Sequence, residues 1–210
     1  MREEWVAVRQ YPGERLRNAV DAVLAELTVT GSPDRELLDH FEETLRAGLA
    51  WTAATGDTCR FGRAVTAVRE WPVRRLVITA VDAADGRRVT FDASSGVALH
   101  DALAATSALP GLFPLAPIGG GLFADGGLSS PYNADLAAGC DSVTVLSPLP
   151  VNVYLRRLLE AETAALGDAH VRVIIADQVA LAAIGPDSLS IDAAPAALEA
   201  GMAQAERELG

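Results

Sequence analysis

The spacing of apolar residues changes at Arg75, and this change limits the possible folds more than any other feature of the 210-residue chain. Before it, apolar side chains recur at helical intervals. Leu16, Val20, Val23, Leu24 and Leu27 follow the turn Pro12-Gly13. Leu37, Leu38, Phe41, Leu45 and Leu49 follow the capping sequence Ser32-Pro33-Asp34. Phe61, Ala64, Val65 and Val68 follow a cap at Asp57, and the pattern stops before Trp71-Pro72. Beyond Arg75 come short runs rich in β-branched residues, Leu76 to Val81, Val89 to Phe91 after the turn Asp85-Gly86, Ser142 to Leu146 and Val171 to Ile175, and a brief apolar strand, Leu122 to Ala124. Helical patterns separate them, at about 97–109, 133–138 and 154–166, with one or two more helices at the end. Pro110, Pro114, Pro117 and Gly119-Gly120-Gly121 predict a long irregular connection. Apolar strands alternating with helices predict an α/β domain with a mainly parallel sheet buried on both faces. A single domain is expected over 1–210: a helical segment at 1–70, a sheet core at 71–148, and a C-terminal strand with helices at 149–210.

Half of the residues are apolar but only 5% are aromatic, so the core must be built from Ala, Val and Leu. All 17 basic residues are Arg, against 28 acidic ones, and the net charge is -11. Residues 76–210 hold only six of the arginines and 16 of the acids. Such a surface repels phosphates, which argues against nucleic acid and anionic membranes as partners. Cys59 and Cys140 lack metal or disulfide spacing and read as free buried thiols. The sequence Met1-Arg2-Glu3-Glu4-Trp5 does not have the order of a signal peptide. The most apolar stretch, from Val97 to Ile118, is broken by His100, Asp101 and prolines, so no transmembrane segment is expected. A cytoplasmic location follows as the expectation.

Three features could carry chemistry. Asp125 stands at a strand end before Gly126 and Gly127, two residues expected to turn the chain through positive φ. Strand ends are where active sites open in such sheets, and a carboxylate there can serve as a general base. The same residues also read as an ordinary Asp-Gly turn. Gly119-x-Gly121-x-x-Ala124, with Asp141 20 residues after Gly121, fits a dinucleotide fingerprint in spacing, but a proline loop precedes it and no helix follows. His100 and Ser107, seven residues apart on one predicted helix, make a Ser–His–Asp set with Asp125 conceivable. His40 and His170 have no evident partner, and no metal or cofactor is implied. The nucleophile elbow G-x-S-x-G is not found; its nearest approach, Gly127-Leu128-Ser129-Ser130-Pro131, ends in proline.

Several blocks in order resemble the patatin-like phospholipases. Arg75-Leu76-Val77-Ile78-Thr79-Ala80-Val81-Asp82 with Val89-Thr90-Phe91 is similar to that family's middle strands. The run from Asp101 to Pro114 is similar to its helix and proline loop, Ala124-Asp125-Gly126-Gly127-Leu128 to its DGG motif, and Asn133 to Asp141 to the segment after it. The likeness is strong over 71–148, moderate over 149–210 and weak over the first 70 residues. It implies a three-layer α/β/α sandwich and a lipid acyl hydrolase working through a Ser–Asp dyad, without histidine, metal or cofactor. By that resemblance Asp125 is the dyad base, and Gly126 and Gly127 shape its turn.

The family's glycine-rich oxyanion loop and its nucleophilic serine have no counterpart here. The resemblance therefore implies a domain truncated at its N-terminus by about two βα units, roughly 60 residues. Without the serine no acyl-enzyme forms, and each missing oxyanion donor removes about 3–4 kcal/mol of transition-state stabilisation. The sheet would keep an exposed apolar edge and be poorly soluble. The expectation is thus a fragment of an acyl-lipid or small-ester hydrolase, inactive alone, with a partner chain as one source of the missing part. The alternative is a non-catalytic remnant that binds lipid or a protein.

Overall fold

The computed structural model describes residues 70–110, 113–148, 150–151, 153–186 and 190–209. The three helices predicted before residue 70, with His40 and Cys59, lie outside the described residues. The chain divides into two compact units, Met1–Asn133 and Ala134–Gly210.

In the first unit, β1 (Ile78–Asp82), β2 (Arg88–Phe91), β3 (Ala116–Ile118) and β4 (Gly121–Asp125) form a sheet in the order β2-β1-β4-β3, with every pairing antiparallel. This corrects the expected mainly parallel arrangement, and connection length is the reason. Five residues join β1 to β2, whereas a parallel crossover needs a dozen or more. Asp82 Oδ1 and Asp85 Oδ1 accept from the Ala84 and Arg87 amides at 2.9 and 3.0 Å, and Gly86 takes a φ of 72°. The result is a hairpin in the register Ile78↔Phe91 to Val81↔Arg88.

The second hairpin lies within the stretch expected to be irregular throughout. Gly119 and Gly120, at φ 57° and 90°, form a two-residue turn with both centres left-handed, which matches the twist of the strands it joins. Pro117 is accommodated in β3 because that strand is an edge of the sheet. The glycines that resembled a dinucleotide fingerprint are thus a hairpin turn.

One face of this sheet packs on α1 (Leu99–Thr106). Ala102 and Ala105 are 0% exposed, and their small side chains bring the helix close to Ile78, Ala80, Phe91 and Phe123. Phe91 and Phe123 meet edge to face, with ring centres 5.4 Å apart. The helix is shorter than its sequence pattern: Ala98 is extended, and Ser107 leaves the helical conformation ahead of Pro110. Trp71 Nε1 donates to the Val97 carbonyl at 2.8 Å and ties the strand's approach to the start of α1. The other face carries a smaller cluster of Val81, Ala83, Leu115 and Ala124.

The second unit contains a 3₁₀ turn (Ala134–Ala137), β5 (Ser142–Ser147), α2 (Val153–Ala164), β6 (His170–Ile175), α3 (Gln178–Ile184) and α4 (Ala194–Leu209). Here the connection contains a helix, and β5 and β6 pair in parallel from Ser142↔His170 to Ser147↔Ile175. β5 is not buried on both faces as expected. Val143, Val145 and Ser147 are buried, while Ser142, Thr144 and Leu146 are exposed, Leu146 at 67%. Cys140 is exposed rather than buried.

The end of β6 is fastened by buried Gln204 of α4. Its Oε1 accepts from the Asp177 amide at 3.0 Å, and its Nε2 donates to the Ile175 carbonyl at 2.8 Å. Asp177 caps α3 by accepting from the Val179 and Ala180 amides, and it pairs with Arg207. Replacing Gln204 with Leu strands two backbone groups. It is expected to lower the unfolding free energy by about 1–3 kcal/mol in a urea titration.

Candidate active site

Asp125 is the last residue of β4, opposite Ala80 of β1. Its amide donates to the Ala108 carbonyl, just past α1, at 3.0 Å. At φ -51° and ψ 130° its backbone turns out of the strand into a 3₁₀ turn, Gly126–Leu128. Its side chain caps that turn, with Oδ1 accepting from the Gly127 amide at 2.7 Å. The carboxyl is therefore held by its own turn at the end of a strand.

The two glycines act differently from the sequence expectation. Neither has positive φ. Gly126 is required by close approach: a Cβ there would lie 2.5 Å from the Thr79 carbonyl oxygen and closer still to Thr79 Oγ1. Only a residue without a side chain lets the turn lie down on β1. At Gly127 a Cβ would meet Asp125 Oδ1 at 3.0 Å, a neighbour that can shift slightly.

Asp125 is half-buried, and loss of hydration pushes its carboxyl above the ordinary 3.8, an effect partly opposed by the Gly127 hydrogen bond. The direction suits a proton acceptor that must work near neutral pH.

After the turn the chain is secured by residues whose part was not foreseen. Ser130 is buried, and its Oγ accepts from the Tyr132 and Asn133 amides, each at 3.1 Å. Asn133 takes a φ of 49°, donates through Nδ2 to the Ser130 carbonyl, and accepts from Arg88 Nη1 of β2 at 3.1 Å. A serine followed three residues later by asparagine is a turn signal in hindsight, but the Arg88 contact spans 45 residues.

Of the other candidates, Ser107 directly precedes Ala108, whose carbonyl accepts from the Asp125 amide. His100 pairs with its neighbour Asp101 at 3.3 Å. It stands one residue into α1 while Ser107 caps the other end, about 10 Å further along the axis, so the conceivable Ser–His–Asp set is not assembled. Ser107 is the C-cap of α1, and His170 is exposed at the start of β6. Among the described residues, no helix is long and apolar enough to cross a membrane.

The model of the patatin-like phospholipase family matches residues 3–138. The chain belongs to that family. The match covers Asp125 with its turn and both hairpins, and it also takes in residues 3–70, where the likeness read from sequence is weakest. Membership places this patatin-like chain among lipid acyl hydrolases with an α/β fold. No curated protein matches it.

Two predictions follow from the turn. Gly126→Ala is expected to cost at least about 2 kcal/mol, because β1 backbone must move, and Gly127→Ala less than half of that, both read by urea denaturation. Asp125→Asn keeps an acceptor for Gly127 but removes the buried charge. With the folded pKa raised above 3.8, the native state binds more protons than the unfolded one between those two values, so wild-type stability falls as pH rises through that window. The variant is therefore expected to have the higher urea midpoint at pH 7, with the difference vanishing below pH 3.8.

Proposed function

We propose that this chain is the C-terminal part of a patatin-like serine acyl hydrolase, with Asp125 as the general base of a Ser–Asp dyad and Gly126 and Gly127 as the turn that presents it. The observation that carries the reading is Asp125 itself: a half-buried carboxyl of raised pKa at a strand end, held through Oδ1 by the Gly127 amide. That leaves Oδ2 to work on a proton.

The full domain is proposed to be a three-layer α/β/α sandwich, with 1–210 as one part of it. The sequence carries no G-x-S-x-G, so the serine and the oxyanion donors come from polypeptide outside these residues, encoded upstream or on a partner chain. The substrate class is an acyl lipid or a simple ester in the cytoplasm. In the assembled enzyme Asp125 takes the proton from the serine hydroxyl as its oxygen attacks the ester carbonyl, and the alcohol departs with that proton. Asp125 then accepts a proton from water as the water attacks the acyl-enzyme, releasing the fatty acid and regenerating the serine. No histidine takes part, which agrees with His100 being engaged by Asp101.

The test compares three proteins: the 210-residue chain, the same chain extended by the codons upstream of Met1, and the extended chain with Asp125→Asn. The first is expected neither to hydrolyse p-nitrophenyl esters nor to react with a fluorophosphonate. The second is expected to do both, and the third to lose about 10²–10⁴-fold in kcat. Asp125-dependent turnover by the 210-residue chain overturns the proposed fragment status. Full turnover by the Asp125→Asn protein overturns the base assignment. Lipid or protein binding without any labelling supports a non-catalytic remnant instead.

A further inference from the structure

The contact that makes Gly126 obligatory has a second side, which is Thr79. In the β1–β4 register Ala80 faces Asp125, so Thr79 lies beside the residue that follows Asp125. Thr79 Oγ1 is the nearest atom to the space above the Gly126 Cα, ahead of Thr79's own carbonyl oxygen. Threonine is restricted at χ1, so this oxygen is a fixed stop rather than a mobile neighbour. Asp125 is joined to the far side of the same turn through the 2.7 Å hydrogen bond from the Gly127 amide. A displacement of Gly126 therefore changes the length and angle of that bond.

We infer that Thr79 is a positioning residue for Asp125: its hydroxyl oxygen sets how close the Gly126–Leu128 turn lies to β1, and so where the carboxylate is held. This deepens the proposed role of Asp125 and rests on that role for its functional meaning. Alternation along the strands puts Thr79 on the opposite sheet face from Asp125, so it acts through the backbone of Gly126 and not by contact with substrate. The fit works in both directions. A methyl group in place of Oγ1 is bulkier and lifts the turn, while its removal leaves the Thr79 carbonyl as the remaining stop and lets the turn tilt about it. Either change misaligns the Gly127 amide, and weakening that bond raises the affinity of Asp125 for its proton.

The test uses the full 210-residue chain and needs no catalysis. The Gly127 amide proton, followed by NMR through a pH titration, reports both the hydrogen bond and the protonation of Asp125. Thr79→Val and Thr79→Ala are expected to move this resonance upfield and to raise the titration midpoint by about half a unit, a roughly threefold gain in proton affinity. Thr79→Ser keeps the oxygen and is expected to retain the wild-type resonance and midpoint, even where it lowers the melting temperature. If Val and Ala variants lose stability but leave the Gly127 resonance and midpoint unchanged, Thr79 is merely structural and the inference is wrong. If Thr79→Val does not fold, Thr79→Ala decides alone, since it removes atoms and forces no overlap. Failure of the base assignment would show separately, as undiminished turnover of the extended Asp125→Asn enzyme with the Thr79 effects on Gly127 intact.

Discussion

The first unit depends on one close approach, where Gly126 lies against Thr79 at the end of the β1–β4 pairing. β1 and β4 are the two central strands of their sheet, so any separation there is passed to β2 and β3 on either side. The approach also decides what can follow β4. With no Cβ at Gly126 the chain turns at once into a 3₁₀ turn, whose exposed Gly127 amide meets the Asp125 carboxyl. A side chain at 126 would overlap Thr79 and force the turn or β1 to move. The fit of the turn on β1 thus depends on one missing atom.

Two aspartates show how far environment decides the character of a cap. Asp125 and Asp177 each cap a short helical element by accepting backbone amides. Asp177 receives two amides and is paired with Arg207, and its pKa is lowered, chiefly by the Ala180 hydrogen bond. Asp125 receives one amide in a half-buried position, and lost hydration outweighs that single bond. The first arrangement stabilises an anion for structure. The second leaves a carboxyl that holds its proton more tightly than a free one.

Much of this was legible in the residues. Apolar runs located β1, β2, β4, β5 and β6 to within two residues, and Asp85-Gly86 marked the first hairpin. Asp125 was marked by its place at a strand end and, more sharply, by the order of the surrounding blocks. Strand direction in the first unit is not legible in the apolar runs themselves, although the short link at 83–87 demands a hairpin. β3 was hidden by Pro117 and by the glycines beside it, since a proline is compatible with a strand only at an edge, and edges cannot be read from local spacing. The alternation along β5 was equally hidden, because Leu146 is apolar and yet exposed. The reason for Gly126 was beyond reach for another cause: it lies in a contact between residues 79 and 126, and a sequence offers no view of such distances.

The hairpin from β3 to β4 has an evolutionary consequence. Gly121 pairs with Ile118 at one end of β4, and Asp125 pairs with Ala80 at the other, so the strand is held by its neighbours on both sides. Inserting or deleting one residue between 121 and 125 would invert the pleat and carry Asp125 to the opposite face of the sheet. Drift in length has a safer outlet in the exposed tip at 84–87, beyond Ala83, whose amide is tied to Leu122 of β4. Descendants of this sequence can therefore vary freely in the outer loop, while the spacing from Gly121 to Asp125 stays frozen for as long as the carboxylate is needed.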